Sequence, residues 1–177
     1  MKILVKTLKS LGFKIATAES CTGGLVAKMI TDISGASSVF EYGVVTYSNQ
    51  AKTALLGVKP ETLDNFGAVS EETAKEMAEG ALKLSGGDIA VSVTGVAGPE
   101  PSEGKPVGTV CIGVATKETT LAKTFVFSGK RGEIRRQSAK MALNMALFAL
   151  GETAKREKIT QKALTAMKKI TNKIKKK

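Results

Sequence analysis

A serine stands inside the run Thr17-Ala18-Glu19-Ser20-Cys21-Thr22-Gly23-Gly24. The segment before it, Phe13-Lys14-Ile15-Ala16-Thr17-Ala18, has strand character, and from Leu25 to Ile33 the apolar residues fall at helical spacing. Small polar residues and two glycines therefore occupy a strand-to-helix turn. A helix start offers unpaired N–H groups and a positive dipole end, which suit an anion or a developing oxyanion. A hydroxyl beside such donors has the surroundings of an activated nucleophile. The same residues also suit a simple N-cap followed by close helix–strand packing. The chain has no histidine, which excludes a Ser-His pair and any histidine metal site. A nucleophilic serine here needs another base, and Ser-Lys pairs are a known variant of the triad logic.

Two further segments have similar character. They are Thr46-Tyr47-Ser48-Asn49-Gln50-Ala51-Lys52 and Thr94-Gly95-Val96-Ala97-Gly98-Pro99, each following a strand-like run. Open α/β sheets place ligand sites beyond the carboxyl ends of their strands, so the three segments are expected to share one cleft. Arg131, Arg135 and Arg136 stand early in the last helical segment, and their guanidinium forks suit either phosphate oxygens or surface ion pairs. No metal-ligand cluster and no dinucleotide fingerprint occurs, so no cofactor is implied.

The elements that must position these residues are legible in outline. Residues 1–11 suit a first helix, followed by the strand and the helix around Gly23-Gly24. Residues 39–47 have a strand-like core, Asn49 can cap a short helix that Gly57 ends, and Pro60 opens another turn. Ser70-Glu71-Glu72-Thr73 is a capped acidic first turn for a helix to Leu84, ended by Gly86-Gly87. Asp88 to Thr94 is a buried-type strand. Val107–Thr116 and Thr120–Phe127 form a hairpin around Lys117-Glu118-Thr119, and residues 131–150 form a helix. This order predicts a three-layer α/β/α domain whose mixed sheet contains a late antiparallel hairpin.

With 177 residues and 42% apolar content the chain suffices for one domain with a substantial core. No apolar run reaches membrane-span length. Lysines break the N-terminal apolar run, so it does not read as a signal peptide, and Cys21 and Cys111 make no disulfide framework. A cytoplasmic protein is expected. Residues 152–177 hold ten Lys/Arg and two Asp/Glu, so this tail carries +8 of the net +11. Division into a body of 1–151 and a basic tail helix of 152–177 follows. In the tail Ile159, Ala163, Met167, Ile170 and Ile174 recur at helical steps among lysines. Such a helix suits a sister subunit, nucleic acid or an anionic surface as partner.

Five runs together resemble the CinA C-terminal domain family, whose members include nicotinamide-nucleotide amidohydrolases. They are Ala18-Glu19-Ser20-Cys21-Thr22-Gly23-Gly24, Val45-Thr46-Tyr47-Ser48-Asn49, Gly67-Ala68-Val69-Ser70, Thr94-Gly95-Val96-Ala97-Gly98-Pro99 and Lys105-Pro106-Val107-Gly108-Thr109-Val110. The likeness covers roughly residues 3–150 in order. It implies conversion of nicotinamide mononucleotide to nicotinate mononucleotide and ammonia by a Ser-Lys mechanism, with a homo-oligomer expected. It implies Ser20 as nucleophile and Lys52 as base. An ordinary lysine, with a pKa of ~10.4, must be depressed to fill that role. Tyr47 is implied either to relay protons or to pack over the substrate ring. Cys21, Thr22, Gly23 and Gly24 fall on the substrate side, with the free N–H groups of Thr22, Gly23 and Gly24 serving phosphate or oxyanion. Ser48 and Asn49 orient the amide or cap the helix. Thr94-Gly95 offers a second backbone surface, and Arg135 or Arg136 matches the phosphate-side arginine. The rival is a non-catalytic nucleotide-sensing or DNA-associated module that relies on the basic tail.

Overall fold

Residues 15–19 and 89–94 form strands buried along their whole length, as strands covered on both faces must be. The structure, a computed structural model, describes residues 1–174, with side chains described through residue 153. In chain order the elements are α1 (Lys2–Leu11), β1 (Ile15–Glu19), α2 (Leu25–Thr31), β2 (Phe40–Val45), α3 (Asn49–Leu56), α4 (Pro60–Phe66), α5 (Glu71–Ser85), β3 (Ile89–Gly95), β4 (Thr109–Thr116), β5 (Thr120–Val126) and α6 (Arg131–Ile174). The sheet order is β2-β1-β3-β4-β5. β1 pairs in parallel with β2 and β3, whereas β4 runs antiparallel to both β3 and β5. The expected α/β architecture, its mixed sheet and its late hairpin are all present.

The two faces of the sheet are built differently. Ile15, Val91 and Val93 join Val26, Ile30, Ile134 and Leu143 in the core shared with α1, α2 and α6. Ala16, Ala18 and Ala90 face the other way and pack with Met77 and Ala81 of α5 and Leu56 of α3. Alanines on that face let α5 lie close to the sheet. Glycine does the same between helices: a Cβ at Gly80 would overlap the Leu56 carbonyl, so this glycine lets the last turn of α3 seat on α5. α3 is the helix that carries Lys52.

Three of the local differences from the sequence expectation concern the helices that carry the site and the strand before one of them. α3 begins at Asn49, and its cap is Ser48, whose Oγ accepts from the Ala51 N–H at 3.1 Å. β2 ends at Val45, two residues early, because the backbone must turn at Thr46–Ser48 to reach that cap. Finally, α6 continues without a break at Gly151 as far as Ile174. The stripe of Ile159, Ala163, Met167, Ile170 and Ile174 lies outside the described side chains.

Candidate active site

Ser20 sits one residue past the end of β1. Its N–H donates to the Val93 carbonyl at 2.9 Å, extending the parallel ladder, and its own carbonyl accepts from the Gly23 N–H at 3.0 Å. The chain then turns through Gly23 (φ 55°) and Gly24 (φ 92°), both left-handed, before α2 begins. Only glycine enters that region without strain, so the pair permits the sharp elbow that presents Ser20. The Gly23 N–H is consumed by this turn, which leaves Cys21, Thr22 and Gly24 as the loop's remaining candidate donors.

Glu19 alters the electrostatics of the elbow. Its buried carboxylate accepts from Val26 N–H at 2.9 Å and Ala27 N–H at 2.8 Å. The start of α2 is thus satisfied by the chain's own anion. The helix dipole is correspondingly less available to an external one.

Lys52 extends from α3 to the elbow. Its Nζ lies 3.2 Å from Ser20 Oγ and 3.1 Å from the Thr46 carbonyl, and the residue is only 2% exposed. Among the described residues no carboxylate lies within ion-pair distance of it. Burial pulls its pKa below the ordinary lysine value, opposed in part by the Glu103 charge. A neutral amine has both N–H bonds and a lone pair. It can donate to Thr46 and accept the Ser20 proton in the observed geometry.

The last helix closes the cleft. Arg131 donates from Nη2 to the Tyr47 hydroxyl at 2.9 Å and from Nη1 to the Gly98 carbonyl, linking the segments that follow β2 and β3. Arg135, one turn on, donates to the Thr22 carbonyl at 2.7 Å, and its Nε is buried without a partner. Thr22 Oγ1 is likewise buried and unpartnered. Arg136 is exposed and reaches none of these groups. Neither Arg131 nor Arg135 takes part in an ion pair among the described residues.

The other candidates have definite places. Ser48 and Asn49 are exposed at the start of α3, with the Ser48 hydroxyl used as the cap. The Thr94 hydroxyl donates to the Ala68 carbonyl at 2.7 Å, tying β3 to the 67–70 loop. Gly95 lies against the start of β4, where a Cβ would meet the Thr109 carbonyl at 2.7 Å. The Cys21 side chain belongs to the core, and burial pushes its thiol up to about 12, so it stays protonated at neutral pH. The structure brings together Ser20, Lys52, Thr22 and Arg135, and at the mouth Tyr47 with Arg131.

Three residues not singled out as members of the cleft belong to this account. Arg131 had a detectable signal, since Arg131, Ile134, Arg135 and Ser138 fall at steps of three, one and three, and Ile134 and Ser138 are buried. That spacing puts Arg131 and Arg135 on the inward side of α6. Glu19 caps a helix that starts six residues later, beyond the range of ordinary cap patterns. Glu103, which accepts from the Val69 N–H at 3.0 Å, reaches its partner across a long loop.

Residues 1–150 match the family described as the CinA C-terminal domain. The chain belongs to that family. A protein of Caldanaerobacter subterraneus subsp. tengcongensis, named as competence-damage inducible, is 56% identical over 145 residues, covering 81% of this chain and 35% of that protein. A CinA-like protein of Endomicrobium trichonymphae is 54% identical over 145 residues, covering 81% of this chain and 33% of that protein. This CinA domain therefore spans about a third of the length of the curated relatives it matches. Among solved structures, the competence/damage inducible protein CihA from Agrobacterium tumefaciens superposes with a TM-score of 0.81 at 44% identity, covering 85% of this chain and 92% of that one. Among the described residues no helix is long and apolar enough to cross a membrane.

Proposed function

We propose that this CinA domain is an amidohydrolase that converts nicotinamide mononucleotide to nicotinate mononucleotide and ammonia. The observation that carries the proposal is the buried Ser20–Lys52 hydrogen bond, with no carboxylate among the described residues in ion-pair contact with the lysine. In this mechanism neutral Lys52 takes the Ser20 proton as Oγ bonds to the carboxamide carbon. The carbonyl π electrons move to oxygen, where the Thr22 or Gly24 N–H can meet them. Collapse re-forms the carbonyl and breaks the C–N bond. The Lys52 proton goes to the leaving nitrogen, which departs as ammonia. Water then attacks the acyl-enzyme with Lys52 again as base, releasing the carboxylate product and restoring Ser20. Arg131 and Arg135 supply cations that no carboxylate among the described residues pairs with, and the proposal gives them to the substrate phosphate.

The test is ammonia release from nicotinamide mononucleotide, with the carboxylate product identified by chromatography. Ser20→Ala should lose about 10³-fold or more in turnover. A wild-type chain that binds the nucleotide without releasing ammonia would favour the sensing role. Full activity in Ser20→Ala would remove the serine from the chemistry.

A further inference from the structure

A second feature lies on α1. Its sequence, Lys2 to Leu11, contains no acidic residue, and Lys2, Lys6 and Lys9 recur at steps of four and three. All three are exposed. With Val5, Ile33, Ser34 and Gly35 they line a groove of about 470 Å³ between α1 and the loop that follows α2. That loop stands at the edge where β1 and β2 begin, whereas Ser20 follows the end of β1. The one acid on the groove wall, Asp32, is held by Lys28 at 2.7 Å. Among the described residues no carboxylate pairs with Lys2, Lys6 or Lys9. The groove thus presents three uncompensated ammonium groups above a floor containing the buried Val5.

We propose that this groove binds the phosphodiester backbone of a nucleic acid. Helical rise spreads Lys2 to Lys9 over ~10 Å, and a duplex strand places one phosphate every ~3.4 Å of axis. A line of three cations matches successive phosphates better than a single phosphate ion. A lipid surface is a poorer match: the site is concave, and Ile3 is the one large apolar side chain that α1 exposes. α1 also packs on α6, the helix whose later sequence holds the +8 segment. The reading is independent of the amidase chemistry.

The experiment is fluorescence anisotropy of a labelled 30-base-pair DNA duplex with the full chain, titrated across salt concentrations. The triple variant Lys2→Gln/Lys6→Gln/Lys9→Gln should bind at least tenfold more weakly at 0.1 M salt. Its log–log salt slope should be shallower by about 2–3, at ~0.9 per neutralised phosphate. Its melting temperature and ammonia release should be unchanged. Lys6→Glu alone should weaken binding in the same direction, which guards against misfolding of the triple variant. The triple Lys75→Gln/Lys83→Gln/Lys123→Gln, away from the groove with the same charge loss, should stay within twofold of wild type. Equal losses in both triples would overturn the proposal, as would undiminished binding by the groove variant or absence of binding by the wild type. Groove-dependent binding to phosphatidylserine vesicles in preference to the duplex would also overturn it.

Discussion

Lys52 Nζ lies 3.2 Å from Ser20 Oγ, and the two residues reach that contact from the segments that follow two neighbouring strands. Ser20 leaves the end of β1, while Lys52 rides on the helix that follows β2. Because β1 and β2 are parallel neighbours, both arrive at the same sheet edge. The base is thereby delivered by topology, with no carboxylate among the described residues in ion-pair contact with it. Its working state depends on desolvation.

That dependence fixes the pH profile. Burial lowers the Lys52 pKa, so the amine is protonated, and useless as a base, below the lowered value. Activity should rise as pH increases through that value and reach a plateau above it. In Lys52→Arg the charge is permanent, and turnover should fall about 10²-fold or more across neutral pH. A normal rate for Lys52→Arg at neutral pH would assign the base elsewhere.

The same burial has a stability consequence of opposite benefit. In the window between the lowered folded value and 10.5, the unfolded chain holds a proton that the folded chain has lost. Folding stability should therefore increase with pH across that window, and the burial cost is greatest below it. Lys52→Met, with a similar apolar length and no charge, should be inactive yet more stable at neutral pH. A gain of ~1 kcal/mol would raise the melting temperature by about 2–4 °C. A lower melting temperature for Lys52→Met would mean that the Thr46 and Ser20 contacts outweigh the desolvation.

The arginines should separate by helical face. Arg131→Ala and Arg135→Ala should each raise KM for the mononucleotide by ~10-fold or more through loss of a charge-assisted contact. Both should do little for the phosphate-free riboside. Arg136→Ala, at an exposed position, should leave both substrates near wild type. Steady-state kinetics on the two substrates decides, and equal losses on both would make Arg131 and Arg135 structural.

Much of this site is legible from residue order because its parts lie at punctuation points of the chain. Gly23-Gly24 marks the elbow, Gly57 and Pro60 bound the helices around Lys52, and Ser70 caps α5. What escapes is set by packing between distant elements. The steps from Arg131 and Arg135 to Ile134 and Ser138 separate them from Arg136, but which face of α6 is inward is set by its packing on the sheet. The cap falls on Ser48 instead of Asn49 because Ser48 has the extended backbone of a cap residue and its Oγ accepts from the Ala51 N–H. Glu19 reads as a polar strand end, yet alternation along β1 aims it into the start of α2, a partner that no local pattern specifies.

The cleft draws on both ends of the sequence, and this bears on how activity appears during folding. Ser20 and Lys52 are 32 positions apart, whereas Arg135 meets Thr22 across 113 and Arg131 meets Tyr47 across 84. Contacts across such spans close late, since each must overcome the entropy of the intervening loop. A refolding chain should bring its nucleophile and base together before α6 docks. Recovered turnover then becomes a clock for the arrival of the last helix, and it should never run ahead of the burial of Ile134 and Leu143.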